Sequence, residues 1–128
     1  MKLQPSLKQR KRYVLFQITQ DPKDKKFWKR EILDAIEAQL INCFGIFLYA
    51  KASPMIVKET FNENTQQIII KINHKYTDEL KVAMALLKEI KETQVTIHSI
   101  STSGILKKLK ARMNEGKIHL QKDLKTTL

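Results

Sequence analysis

At 128 residues, 42% of them hydrophobic, the chain is long enough for one core and too short for several. Its 24 Lys and Arg against 13 Asp and Glu give a formal net charge of +11, which predicts attraction to a polyanion, either nucleic acid or an anionic membrane surface. A membrane span, a secretory signal, a disulfide and a zinc set are not expected: the longest apolar stretch, Leu40 to Ala50, is about half the ~20 residues needed to span, MKLQPSLKQRKR has no apolar centre, and Cys43 stands alone with three scattered histidines.

A basic arm, residues 1–11, opens the chain, and Pro5 and Ser6 leave room for a short helical turn at Leu7 to Gln9. Arg12 to Thr19 (RYVLFQIT) is rich in β-branched and aromatic residues and reads as a strand, ended by Asp21-Pro22. From Asp24, apolar residues recur at Trp28, Ile32, Ala35, Ile36, Leu40, Cys43 and Phe47, a helical spacing. Gly45 interrupts it before a second short piece that stops at Ser53-Pro54. Met55 to Asn62 and Gln66 to Asn73 read as an antiparallel hairpin around Glu63-Asn64-Thr65. Asn73 is placed to cap the next helix, whose Leu80, Ala83, Met84, Leu87 and Ile90 share one face. Gln94 to Ser101 is a further strand, and Gly104 to Met113 a basic helix introduced by Ser101-Thr102-Ser103-Gly104. The expected organisation is an arm (1–11), one domain (12–113) and a tail (114–128) with weak helical spacing.

The order β-α-β-β-α-β, with helical segments added at both termini, predicts an α+β fold of the ferredoxin-like or RRM-like type. Its four-stranded antiparallel sheet carries helices on one face. RNA-recognition modules, acylphosphatases and small-molecule sensors share that order, so the fold alone does not choose among them.

Catalysis by the protein's own groups is not expected. Glu37, Glu79, Glu89 and Glu92 fall at surface positions, and Cys43 lies on the apolar stripe of the first helix and reads as core. The chain has only Gly45, Gly104 and Gly116, so neither a glycine-rich phosphate loop nor the glycine- and arginine-bearing loop of an acylphosphatase is present. Base stacking on the sheet is equally unsupported, because the strand QQIIIKIN lacks the aromatics of an RNA-recognition module. The face shared by Ile68, Ile70 and Ile72 predicts cover by the C-terminal helix or by a protein partner.

Recognition of a phosphate backbone remains. Lys8, Arg10, Lys11 and Arg12 lead into the first strand, and His74 and Lys75 stand at the start of the second helix, where cations oppose the helix dipole. In SISTSGILKKLKARM, hydroxyls precede Lys107 and Lys108, and no acidic residue follows until Glu115. A helix start bordered by cations suits phosphate. Ile105, Leu106, Leu109 and Met113 form a packing stripe, and Lys107, Lys108, Lys110 and Arg112 occupy the remainder. Each feature alone has a plainer reading. Ser101, Thr102 and Ser103 suit capping, His74 a surface or cap, and Lys23 to Arg30 a solvated face. Trp28 suits the core, although a tryptophan there also suits anchoring a partner.

Three stretches, LKQRKRYVLFQI, IIIKINHKYTDELKVAMALLKEI and VTIHSISTSGILKKLK, resemble in order protein component 2 of archaeal ribonuclease P, the counterpart of the Pop-type subunit of eukaryotic ribonucleases P and MRP. The NHKY helix start and the SGILKK segment carry the resemblance most specifically. It implies a subunit of an endoribonuclease, with no catalytic residues and no cofactor of its own, and the lone Cys43 and the absence of an apolar signal make a reduced, cytoplasmic protein the expectation. The catalytic RNA, using Mg²⁺, removes the 5′ leader from precursor tRNA, and the protein assists together with protein component 3, a TIM-barrel subunit. On this reading Lys8, Arg10, Lys11, Arg12, His74, Lys75, Lys107 and Lys108 contact RNA backbone, and Ser101 and Ser103 add hydrogen bonds. Phe44 to Tyr49 and the isoleucine strand are the expected docking surface for component 3 or for a second copy. The alternative is a stand-alone ferredoxin-like module for RNA or DNA. A hydrolase of acylphosphatase type comes third and requires turnover of an acyl phosphate.

Overall fold

The computed structural model describes residues 10–21 and 27–113. The turn expected at Leu7 to Gln9, the lysines between 23 and 26, Lys8 and the tail 114–128 lie outside them. In chain order come β1 (Lys11–Asp21), α1 (Lys29–Ala52), β2 (Met55–Asn62), β3 (Gln67–Asn73), a 3₁₀ turn (His74–Tyr76), α2 (Thr77–Ala85), β4 (Glu89–Ile90) and β5 (Thr93–Ser103). A last helix, α3, covers 106–113.

The strands make one antiparallel sheet in the order β2-β3-β1-β5-β4, five-stranded where four strands are expected from the sequence. The fifth strand comes from residues whose apolar spacing continues the second helix. That helix ends at Ala85 because tertiary pairing outweighs local propensity. Lys88 O accepts the Val95 N–H at 2.8 Å, and Ile90 pairs with Thr93. Lys91 and Glu92 both take positive φ, as a two-residue hairpin turn requires.

Period-two alternation divides β1 between two cores. Val14, Phe16 and Ile18 face α1 and α2 and pack with Ile68, Ile70, Ile72, Ile32, Ile36 and Met84. Leu15 points the other way, joining Ile69 and Val57 beneath Leu109 and Met113 of α3. Helices therefore lie on both faces of the sheet. The Ile68, Ile70 and Ile72 face is taken by α1 and α2, and α3 covers Ile69 instead. All four isoleucines are fully buried, so the isoleucine strand is not a docking surface.

The stripe on α1 is Ile32, Ile36, Leu40 and Phe44, not the one ending in Cys43 and Phe47. Cys43 is exposed, Phe47 is 86% exposed and Trp28 is 72% exposed, whereas Phe27 is buried. Trp28 precedes the helix at its N-cap and so lies outside the helical phase. Gly45 breaks that phase, and the piece beyond it turns Ile46 and Phe47 outward. By length and hydropathy alone α1 is long enough to cross a membrane, but one side of it is built into the core.

Gly45 has φ 71° and ψ 171°, a backbone region essentially reserved for glycine, and a Cβ there would touch nothing within 4 Å. The cost of Gly45→Ala is therefore purely conformational. Denaturant unfolding should show a loss of about 1–3 kcal/mol with an unchanged folded-state spectrum. Unaltered stability would mean that the kink relaxes without strain.

Candidate nucleic-acid interface

β1 runs antiparallel to both β3 and β5, so its first residues lie beside the last residues of both neighbours. Lys11 pairs with Asn73 and Arg12 with Ile72, while Tyr13 sits between Lys71 and Ser103. This arrangement gathers Arg10, Lys11, Arg12, His74, Lys75, Ser101, Ser103 and the turn leading to Lys107 and Lys108 at one end of the sheet. Lys8 lies outside the described residues.

Several hydrogen bonds fix this end. The His74 N–H donates to Arg10 O at 2.9 Å. The Asn73 Oδ1 accepts the Lys75 N–H at 3.2 Å, and its Nδ2 donates to Lys51 O at 3.5 Å, which ties in the end of α1. The Ser103 Oγ accepts the Ile105 N–H at 3.1 Å. A Cβ placed on Gly104 would stand 2.8 Å from Arg12 Nη1, so glycine there leaves room for the guanidinium to lie against the backbone. Arg10, Arg12, Lys75, Lys107 and Lys108 are exposed, while Lys11, His74, Ser101 and Ser103 are half-buried. Among the described residues the one ion pair is Arg30–Asp34, so no carboxylate neutralises a cation at this end.

The local settings of three segments differ from those read in the sequence. Ser101 and Thr102 belong to β5 and cap nothing; Ser103 alone accepts a backbone bond, and α3 begins at 106. Lys107 and Lys108 still fall in its first turn. His74 and Lys75 occupy the 3₁₀ turn that Asn73 caps, which moves the start of α2 to Thr77. The first turn of α2 then holds Asp78 and Glu79, the ordinary complement to a helix dipole, so this helix start does not lack acidic residues.

Two cations at this end were not read as site residues in the sequence. Lys71 is half-buried in β3 with its Nζ 6.0 Å from the centroid of the Tyr13 ring, and Lys51 lies in the last turn of α1. The signal for Lys71 was present: a lone cation in IIIKIN sits by alternation on the face opposite Ile70 and Ile72. A separate, mainly apolar surface lies between α1 and α2, a groove lined by Cys43, Phe44, Leu48, Val82, Ala83 and Leu86 together with Asp78 and Glu79, with Ile46 and Phe47 exposed nearby in sequence.

These features define a small α+β protein whose sheet ends, on one side, in a rim of cations that pair with no carboxylate among the described residues. The Rpp14/Pop5 family model matches residues 12–114. The chain belongs to that family. It is similar to "Ribonuclease P protein component 2" of Thermococcus kodakarensis, 31% identical over 110 residues that cover 86% of this chain and 88% of the relative. The protein of the same name from Pyrococcus furiosus is 30% identical over the same shares. That from Methanocaldococcus jannaschii is 28% identical, over 86% of this chain and 77% of its own. A chain in the cryo-EM structure of yeast ribonuclease MRP shares the fold, with a TM-score of 0.57 and 13% identity over 93% of this chain and 97% of that one. The resemblance read from the NHKY and SGILKK segments therefore pointed to the right family.

Proposed function

We propose that this chain is a cytoplasmic protein subunit of ribonuclease P. It binds the catalytic RNA through the cationic end of its sheet and, with protein component 3, promotes removal of the 5′ leader from precursor tRNA. The observation that carries this reading is the convergence of Arg10, Lys11, Arg12, His74, Lys75, Lys107 and Lys108, distant in sequence, at one sheet end where no described carboxylate pairs with them. Family membership directs that surface toward RNA.

Hydrolysis of the phosphodiester is the work of the RNA and its Mg²⁺. The protein's part is electrostatic and geometric. Exposed cations displace counterions from RNA phosphates, and the sheet holds them in a fixed spacing that fits one folded RNA surface. Such contacts position rather than read sequence. Ser101 and Ser103, half-buried at the margin, supply hydroxyls to the same surface. The groove between α1 and α2, with Ile46 and Phe47, receives component 3 or a second copy.

Salt dependence tests this directly. If about six phosphates are engaged, affinity for the catalytic RNA should fall about a thousandfold between about 50 and about 200 mM salt. A flat response over that range would contradict backbone recognition.

A further inference from the structure

Trp28 is the chain's one tryptophan, and it is 72% exposed while the adjacent Phe27 is 2% exposed. Large aromatics are mostly buried on average, so a tryptophan this exposed is informative. Its backbone is firmly seated. The Trp28 N–H donates to Glu31 Oε1 at 3.1 Å, its carbonyl accepts the Ile32 N–H at 3.2 Å, and Phe27 anchors the preceding residue in the core. The position is an N-cap, where Ser, Thr, Asp or Asn stabilises the helix by accepting a bond, so an indole there forgoes that gain.

The residues that follow it are cationic. Lys29 and Arg30 are exposed, and the Arg30 side chain, 94% exposed, makes only a loose 3.9 Å pair with Asp34, which holds little energy at such exposure. This place is distinct from the cationic rim. β1 starts at the rim and runs away from it, and α1 returns from Lys29 to Lys51 beside Asn73. It is also distinct from the apolar groove, since Cys43 of its lining lies about 21 Å further along α1 from Lys29 at 1.5 Å per residue, before the break at Gly45.

Resting on the RNA-subunit reading above, we propose that Trp28, Lys29 and Arg30 form a second RNA contact, a platform on which an unpaired nucleotide stacks its base against the indole while the two cations hold the flanking phosphates. An exposed aromatic followed directly by cations matches the two faces of a nucleotide, one aromatic and one anionic. A protein-anchoring tryptophan is instead set within apolar surroundings that exclude water.

Because the chain has a single tryptophan, its tryptophan emission, excited beyond the absorption of the three tyrosines, reports this site alone. The full chain is titrated with an oligouridylate of about ten nucleotides, a length within single-strand site sizes, and separately with a fully paired, blunt-ended RNA duplex and with the catalytic RNA. The oligouridylate should quench Trp28. Followed by the anisotropy of a fluorescently labelled RNA, since the variants have no tryptophan, Trp28→Ala should weaken oligouridylate binding on the order of tenfold, and Trp28→Phe should restore most of it. Duplex binding should be the same in all three proteins. Tight, salt-sensitive binding of catalytic RNA with no quenching by either single strand or catalytic RNA would overturn the platform and leave the RNA-subunit reading standing. Failure to bind any of the RNAs would overturn both. An emission change on adding component 3, with none on adding RNA, would make Trp28 a protein anchor and overturn the platform.

Discussion

Replacing Lys75, Lys107 and Lys108 together by alanine should lower affinity for the catalytic RNA by about two orders of magnitude at moderate salt and reduce the salt slope by about 3. The three side chains come from two segments that the antiparallel placement of β1 brings to one sheet end. All three are exposed, so their loss opens no cavity. Alanine is the best helix former, so positions 107 and 108 in α3 gain slightly in propensity. The Lys75 backbone N–H, which Asn73 Oδ1 accepts, is untouched by truncating the side chain. Binding and stability are thereby separated: unfolding curves should overlay those of the wild type while RNA titrations diverge. A melted triple variant would assign these lysines to the fold. An intact variant that binds RNA as before would move the interface elsewhere.

Leu109→Asp should remove two of those RNA contacts, Lys107 and Lys108, by a different route. Leu109 is 1% exposed and packs with Leu15, Ile69, Val57 and Met113 in the small core on the outer face of the sheet. An isolated carboxylate cannot stay buried there, so the expected response is release of α3, which carries Lys107 and Lys108 away from the rim. The larger core between the sheet and α1 and α2 has no residue from α3 and should persist. Hydrogen exchange should therefore show lost protection over 106–113 with protection of β1 and β3 retained, and RNA affinity should fall despite the unchanged lysines. The milder Leu109→Ala should cost about 2–4 kcal/mol while leaving α3 docked. Simultaneous loss of protection in β1 and β3 would show that the two cores fold as one unit.

Residues with local periodicity were legible in the sequence. β1 and β3 are dense in β-branched and aromatic residues, turn residues separate β2 from β3, and Leu80, Ala83 and Met84 keep helical spacing where α2 forms. Most cations of the rim were legible as residues, Lys71 and Lys51 being the exceptions, and their meeting followed from the antiparallel order. What escaped depended on phase or on distant partners. Trp28 and Phe47 fit the apolar period of α1, but one lies before the helix begins and the other beyond the break at Gly45. Leu87 and Ile90 fit the period of α2, yet Ile90 reaches the core from a hairpin that exists only because β5 is there to pair with it. Ser101 looks like a cap until the strand is seen to continue through Ser103. Asp78 and Glu79 lie too far along to guard a helix starting at His74, but they guard the one that starts at Thr77.

The most direct measurement is accurate 5′ cleavage of precursor tRNA by the catalytic RNA and component 3 at limiting Mg²⁺. The reaction is run without this chain, with it, and with its Lys75, Lys107 and Lys108 alanine variant. A large gain with the wild-type chain that falls back toward the protein-free rate with the variant is the predicted result. No gain from the wild-type chain, or a gain that the variant keeps in full, would contradict the assignment of the cationic end as the RNA-binding surface of a ribonuclease P subunit.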